Sequence, residues 1–201
     1  KSAGTVSGNK NMPCWRCTSS AVDEHEFCPV CGSIQPPSPH RTHFERLGVA
    51  DSFAQDQDEL LKMHRQEQRR FHPDRFVAKG DTERRLSLEH ATALNDAYRI
   101  LKDPCARAEY MLKLRGCDVT NDDKQVSLSP MFLMEVMELR EVIDELRGSD
   151  THVERGQIER DVALKYEAIL AELGEGLDGG DRALPDLAQL SAQLRYLKKI
   201  L

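Results

Sequence analysis

The sequence predicts an all-α protein, a helical hairpin followed by a C-terminal three-helix bundle, with a small cysteine-rich module at its N-terminal end. Two observations carry this prediction. After residue 42, apolar residues recur at the spacing of amphipathic helices, and the valine-rich alternation of strands is absent outside the cysteine segment. Four of the six cysteines lie between residues 14 and 31, which marks that segment as a separate unit.

Length and charge restrict the classes of protein to which the chain can belong. Its 201 residues correspond to one or two ordinary domains, and its 39% hydrophobic content suffices for a packed core. A net charge of −6 argues against a protein that binds nucleic acid by covering phosphates with basic residues. No run of 18 apolar residues occurs, so no membrane span is expected. Because the chain begins at Lys1, we expect a processed or trimmed end and a targeting segment that is out of view.

The N-terminal 41 residues divide into a tail, a cysteine segment and a linker. Residues 1–12 are small and polar without periodicity, and we predict a flexible tail. Residues 13–41 hold the four cysteines and end in a linker whose three prolines exclude helix. No internal repeat is recognised in the chain.

The paired cysteines have the spacing of a metal site. Two C-x-x-C pairs, separated by ten residues, would offer four thiolates to one ion. We expect one structural Zn²⁺, which folds a segment too small for a core of its own. An iron–sulfur cluster, two disulfides and a redox C-x-x-C are the alternatives, and Cys105 and Cys117 are predicted to be core or surface thiols. The predicted ligands are Cys14, Cys17, Cys28 and Cys31.

Four helices are predicted between residues 42 and 118. Thr42 and Glu45 have the spacing of a capping box, and Gly48 ends this first helix. The second helix stops at Pro73, and the third, which has the most regular helical period, stops before Pro104. The predicted helices span residues 42–47, 56–71, 82–102 and 106–114.

Residues 119–201 are predicted to form the three-helix bundle. Short loops containing glycine separate three amphipathic segments, which favours antiparallel packing. Residues 120–201 carry 17 acidic and 10 basic side chains, a net charge of −7, whereas residues 42–119 are neutral. The predicted helices span residues 130–147, 152–173 and 183–201.

A turn between the second and third helices presents a histidine beside a carboxylate. In the F-H-P-D-R-F run at 71–76, Pro73 ends the helix and favours extended backbone at His72, so His72 and Asp74 are exposed together. A chance loop is the alternative. However, the tripeptide and its flanking helices make residues 42–112 resemble the J-domain of the DnaJ co-chaperone class. The preceding helix is basic, with Lys62, Arg65, Arg69 and Arg70.

Further segments narrow this resemblance to HscB-type co-chaperones of iron–sulfur cluster biogenesis. They are the A-R-A-E-Y-M-L run at 106–112, the F-L-M-E-V-M-E-L-R-E run at 132–141 and the Q-L-R-Y-L run at 193–197. The resemblance then covers residues 42–201, with mild departures at Met137 and Tyr196. The tetracysteine module resembles the one found on eukaryotic members.

The resemblance implies a co-chaperone without catalytic residues of its own. The acidic bundle would bind an IscU-type scaffold. The His-Pro-Asp turn would dock on a 70-kDa heat-shock ATPase chaperone of the DnaK, HscA or mortalin type and speed its ATP hydrolysis. The implied location is the mitochondrial matrix, with the cytoplasm as the second setting, and the oligomeric state stays open. The implied chaperone-docking residues are His72, Pro73, Asp74, Lys62, Arg65, Arg69 and Arg70, and the implied scaffold-binding residues are Leu133, Met134, Met137, Glu138, Glu141, Glu145 and Tyr196.

The first helix of the bundle supports part of this assignment independently of the family. Leu133 and Met137 lie one turn apart, and an apolar stripe that runs on into carboxylates is unusual for a core face. Flexible methionines also suit a binding surface. The alternative is that this stripe is bundle core. We expect partial exposure of Leu133, Met134 and Met137 and burial of Val136, Leu139 and Ile143.

Two other functions fit fewer features of the sequence. A zinc-ribbon adaptor that binds nucleic acid would need basic residues near the cysteines, yet Arg16 and Arg41 are offset by neighbouring acids. A thiol oxidoreductase would use the C-x-x-C pairs, which normally stand between a strand and a helix. We therefore expect no nucleic acid and no membrane among the partners.

Overall fold

The computed structural model describes residues 13–20, 25–119, 128–146 and 152–200. The predicted tail at 1–12 lies outside these residues. The described part is helical, and its only strand-like pairings are two isolated bridges in the cysteine module. Within it, no helix has the length and apolar character needed to cross a membrane. The chain forms two compact units, one of residues 1–50 and 57–99 and one of residues 51–56 and 100–201.

The helices confirm the all-α prediction. In the first unit, α1 spans His43–Leu47, α2 spans Gln57–Arg70, a 3-10 turn spans Pro73–Phe76, and α3 spans Asp81–Lys102, whose last residues belong to the second unit. In the second unit, α4 spans Pro104–Leu114, α5 spans Pro130–Leu146, α6 spans His152–Leu177 and α7 spans Leu184–Lys198.

Local sequence signals determine several helix ends. The Oγ1 atom of Thr42 accepts from the Glu45 backbone at 3.1 Å, and the Glu45 carboxylate accepts from the Thr42 backbone at 2.7 Å, so the predicted capping box is present. Helix α4 begins two residues earlier than predicted. Pro104 occupies its first position, where no N–H is needed, and the Asp103 side chain accepts from the Ala106 N–H at 3.1 Å.

Helices α2 and α3 form an antiparallel hairpin. Far from the turn, the His64 ring stacks on Tyr98 with centroids 4.4 Å apart. Next to the turn, the Ser87 hydroxyl donates to the Phe71 carbonyl at 2.7 Å. Contacts thus advance along one helix as they retreat along the other. The hairpin core contains Leu60, Leu86, Leu94 and Ala97, each at most 1% exposed.

The cysteine module packs on this hairpin within the first unit. The Nε2 atom of His90 on α3 donates to the Gln35 carbonyl at 2.8 Å, and both residues are buried. Arg16 forms an ion pair of 3.6 Å with Glu83, whose side chain is 3% exposed. The module therefore shares a core with the hairpin.

We expect the free energy of unfolding of the first unit to fall as the pH falls below 6.5. Burial lowers the pKa of His90 below 6.5, against the opposing hydrogen bond to Gln35. The unfolded chain therefore takes up this proton at a higher pH than the folded chain, so protonation between the two pKa values favours unfolding. Urea titrations above and below pH 6.5 measure the effect. The His90→Phe variant keeps a ring without a titratable group, and an equally steep pH dependence in that variant would contradict the assignment.

The second unit is a four-helix packing. Helix α6 packs against α4, α5 and α7, and α4 also packs against α7, so α4 joins the three helices that were predicted to form the bundle. Cys105 Sγ lies 3.2 Å from the Tyr166 hydroxyl, which links α4 to α6. Arg195 on α7 donates to Glu109 on α4 at 2.9 Å. The predicted domain boundary at residue 118 stays a prediction. Fully buried core residues include Leu112, Leu173, Leu187, Leu194 and Leu197.

Helix α6 is longer than predicted, because the glycines expected to end it lie inside it. A Cβ atom on Gly174 would lie 2.7 Å from the Phe53 ring, and one on Gly176 would clash with the Leu187 side chain. These glycines therefore let neighbouring side chains approach the helix backbone. That packing offsets the cost of about 1 kcal/mol that each glycine imposes on a helix interior.

Candidate metal centre and docking surfaces

Four thiols of the N-terminal module surround one point. The sulfurs of Cys14, Cys17, Cys28 and Cys31 all lie within 4.8 Å of one another. Two of the separations, Cys14–Cys31 and Cys17–Cys28, are 3.7 Å, and all four thiols are free, so the two-disulfide alternative is wrong. A tetrahedral ion with metal–sulfur bonds of about 2.3 Å has sulfur–sulfur edges of about 3.8 Å. The donor set therefore fits a single metal ion.

The two cysteine pairs have the same backbone geometry, offset by fourteen residues. The first turn has a Thr18 N–H···O Cys14 bond of 2.9 Å, and the second has a Gly32 N–H···O Cys28 bond of 2.9 Å. Thr18 and Gly32 share a left-handed backbone, with φ of 58° and 70°. The two antiparallel bridges, at 13–20 and 27–34, keep the same offset. The module is thus an internal repeat, and the prediction that the chain contains none is wrong.

Serine hydroxyls support the sulfurs in matching positions. Ser19 Oγ lies 3.4 Å from the sulfurs of Cys17 and Cys28. Ser33, its counterpart in the second turn, lies 3.1 Å from Cys31 and 3.4 Å from Cys14. Each hydroxyl therefore spans both turns. The fourteen-residue offset of the two serines was the sequence signal that could have revealed them.

These hydrogen bonds favour the thiolate form that binds metals. Burial raises the pKa of Cys14, but the Ser33 hydroxyl and nearby backbone N–H groups outweigh it and lower the pKa to about 5. The Ser19 hydroxyl is the main cause of a lowered pKa at Cys28. The two buried cysteines of the cluster, Cys14 and Cys28, therefore favour the thiolate state in which cysteine binds a metal.

The His-Pro-Asp turn is exposed at the closed end of the α2–α3 hairpin. Phe71 and Phe76 are buried on either side of it, 1% and 5% exposed. His72 has the predicted extended backbone, with φ −62° and ψ 129°, and its Nδ1 atom accepts from the Asp74 N–H at 3.3 Å. The side chains of His72 and Asp74 are 55% and 86% exposed. Two aromatic anchors thus hold a polar tip in solvent, and the docking role of that tip stays a prediction.

The basic residues of α2 fall into two groups. Lys62, Arg65 and Arg69 are exposed. Arg70 instead donates to Glu67 at 2.5 Å and to Glu26 of the cysteine module at 2.9 Å. Its guanidinium group is thereby engaged within the first unit, although its side chain is 43% exposed.

Helix α5 carries an apolar surface that continues into carboxylates. As predicted, Met134 and Met137 are each 62% exposed and Leu133 is 36% exposed. Met131, which is not among the predicted scaffold-binding residues, is 80% exposed at the start of the same helix. Glu138, Glu141 and Glu145 are all exposed. Val136 and Ile143 are buried as predicted, whereas Leu139 is half-buried.

Tyr196 lies apart from these residues in the chain, on α7. Its ring is half-buried, and the ammonium group of Lys199, the residue after the end of α7, lies 5.6 Å from its centroid. The scaffold-binding roles of Tyr196 and of the α5 residues stay predictions.

Known proteins resemble this chain over most of its length. Residues 128–201 match the family described as HSCB C-terminal oligomerisation domain. The co-chaperone protein HscB homolog of Vibrio vulnificus is 36% identical over 159 residues, which cover 79% of this chain and 91% of the relative. The iron-sulfur cluster co-chaperone protein HscB of Mus musculus is 30% identical over 190 residues, which cover 93% of this chain and 79% of the relative.

Two solved structures are also similar to this chain. The crystal structure of human co-chaperone protein HscB matches with a TM-score of 0.80 and 29% identity, covering 94% of each chain. Chaperone HscB from Vibrio cholerae matches with a TM-score of 0.70 and 32% identity, covering 79% of this chain and 92% of its own. The chain belongs to the HscB family of co-chaperones.

Proposed function

We propose that this chain is a non-enzymatic co-chaperone of iron–sulfur cluster biogenesis that brings an IscU-type scaffold to a 70-kDa heat-shock ATPase chaperone. The observation that carries the proposal is the His72-Pro73-Asp74 tip, exposed between two buried phenylalanines at the end of a hairpin. The ATPase site belongs to the chaperone. The chain speeds hydrolysis by docking, so that the chaperone holds the scaffold while the cluster is transferred.

The docking surface of the first unit is the His-Pro-Asp tip with the exposed cations of α2. Lys62, Arg65 and Arg69 supply positive charge beside the tip and steer it towards an acidic surface of the chaperone. Arg70 contributes through its bonds inside the unit more than through direct contact.

The scaffold surface is the exposed face of α5. Met134 and Met137 present flexible apolar side chains, and Glu138, Glu141 and Glu145 extend the same face with negative charge. A scaffold with an apolar patch bordered by basic residues is the matching partner. Carrying both surfaces on one chain raises the effective concentration of scaffold at the chaperone.

The metal in the proposed function is one structural Zn²⁺. Four thiolates without an open coordination position are typical of zinc that folds a segment instead of performing catalysis. The match to the mouse relative extends over 190 residues, against 159 for the bacterial one, which supports a eukaryotic form of the family. We accordingly assign the protein to the mitochondrial matrix.

Replacing Leu133 and Met134 together with alanine should weaken scaffold binding at least about tenfold, because apolar anchors at the centre of an interface commonly contribute 1 kcal/mol or more each. Isothermal titration with an IscU-type scaffold measures the affinity, and circular dichroism checks helicity. Tyr196→Ala tests the α7 residue separately.

The control is Leu88→Ala, which makes the same leucine truncation as at Leu133 but at an exposed position on α3, in the other unit. Its scaffold affinity should equal that of the parent. If the double variant also binds like the parent, α5 is not the scaffold surface.

A further inference from the structure

An aromatic stack joins the cysteine module to the residue that precedes the His-Pro-Asp tip. The ring of Phe71 stacks on two others, those of Phe27 and His90. Its centroid is 5.5 Å from that of Phe27 and 4.2 Å from that of His90, and both pairs are within 7° of parallel. Since Phe71 is bonded to His72, the stack determines where the tip begins.

A hydrogen-bond chain reaches the same stack from the sulfurs. The Gln35 side chain donates to Cys14 Sγ at 3.4 Å and to the Ser33 hydroxyl at 2.9 Å. Its backbone carbonyl accepts from His90 at 2.8 Å. His90 is thus held between the metal centre and Phe71. Because the Gln35 carbonyl can only accept, the Nε2 atom of His90 must carry the proton of this hydrogen bond.

Ion pairs also connect the C-terminal end of α2 to the cysteine module. The Glu26 carboxylate accepts from Arg70 at 2.9 Å and also pairs with Arg41. The Arg70 guanidinium lies 5.8 Å from the centroid of Phe27 and 5.3 Å from that of Phe71. One cation therefore bridges both rings while it is held by the module's carboxylate.

We propose that Phe27 and Glu26 are positioning residues for the His-Pro-Asp tip, so that the folded cysteine module sets how well the chain docks on its chaperone. The two residues directly precede Cys28, a ligand of the candidate metal centre, so an ordered centre fixes their backbone. Loss of the module's fold removes the packing partners of Phe71 and Arg70 together. Phe71 is one of the two buried aromatic residues that flank the tip, so the tip is then anchored only by Phe76. This inference rests on the proposed function of the tip.

Phe27→Ala should raise the co-chaperone concentration that gives half-maximal ATPase stimulation about fivefold to tenfold. This is the change in affinity that corresponds to losing the interaction energy of one ring stack. The stimulated rate at saturation should stay near that of the parent, because His72 and Asp74 are intact. Phe27→Tyr, which keeps the stack, should restore the parent value. Amide exchange over residues 68–78 should accelerate in Phe27→Ala, a readout that does not depend on the chaperone.

Val30→Ala is the matched control, because Val30 lies three residues after Phe27 in the same module and is 73% exposed. It should leave stimulation and exchange unchanged. Removing the metal from the parent with a chelator should accelerate exchange over 68–78 as Phe27→Ala does, and it should add little in Phe27→Ala. Scaffold affinity should be unchanged in every variant.

The inference is overturned if Phe27→Ala keeps both the parent's half-maximal concentration and its exchange while His72→Gln abolishes stimulation. If His72→Gln stimulates normally, the proposed function fails instead, so the two failures are distinguishable. If Phe27→Ala loses its metal, the Glu26→Gln variant decides the question. It keeps the ring of Phe27, and it should still raise the half-maximal concentration at least about twofold, because the partly exposed ion pairs of Glu26 with Arg70 and Arg41 are lost. An unchanged value in Glu26→Gln would then overturn the inference.

Discussion

Replacing His72 with glutamine is expected to remove most of the stimulation of the chaperone's ATPase. His72 is exposed at the tip, and its imidazole is the group with which the tip can both donate and accept hydrogen bonds. Glutamine keeps an acceptor for the Asp74 N–H but loses the ring. In single-turnover hydrolysis with the cognate chaperone, we expect stimulation to fall at least about tenfold, the loss typical of an interface hot spot.

Two controls separate docking from folding in this experiment. Val77→Ala truncates a side chain that is 64% exposed just after the tip, and it should stimulate like the parent. Scaffold affinity of His72→Gln should also be unchanged, because α5 belongs to the other compact unit. Normal stimulation by His72→Gln would show that the tip does not act as proposed.

Removing the metal is expected to unfold the cysteine module while the helices of the second unit stay folded. In the described part of the module, two isolated bridges are the only strand-like pairing and the four cysteines form one buried cluster, so we expect the metal-bound cluster to contribute much of its stability beside the packing on the hairpin. Structural zinc contributes about 10–16 kcal/mol to folding in comparable peptides at neutral pH. A chelator should therefore abolish amide protection at residues 28–35 and leave protection in α6 and α7.

Metal analysis and thiol counting complete this test. The purified chain should hold one zinc ion, and chelation should make the four clustered thiols reactive, in addition to any reaction of Cys105 and Cys117. Cys14→Ser should reproduce the effect of the chelator, whereas Cys117→Ser should bind metal like the parent. Protected amides in the metal-free module would contradict the structural role, and iron in place of zinc would contradict the assigned ion.

The features that could be predicted from the sequence depend on residues that are close together in the chain. The capping box at Thr42 and Glu45, the stop at Pro73 and the paired cysteines each act within a few residues, so their consequences can be derived without knowing the fold. The exposure of Met134 and Met137 was also predictable from nearby residues, since an apolar stripe that runs on into carboxylates is unusual for a core face. Even the missed repeat was readable, because Ser19 and Ser33 follow the two cysteine pairs at equal distance.

Long-range contacts decided the remaining features. Gly174 and Gly176 stay inside α6 because Phe53 and Leu187 pack against their backbone, and neither neighbour is close in sequence. Arg70 was one of four basic residues on α2, and only folding brought Glu26 to it.

The sequence by itself therefore determined the helices, the polar tip and the thiolate cluster, whereas the tertiary structure alone decided what the cluster touches. Phe27 and Phe71 are 44 residues apart, and no local preference sets the position of one on the other. Their stacking depends on the packing of the module against the hairpin, where Phe71 is buried and also stacks on His90, and burial is a property of the whole unit.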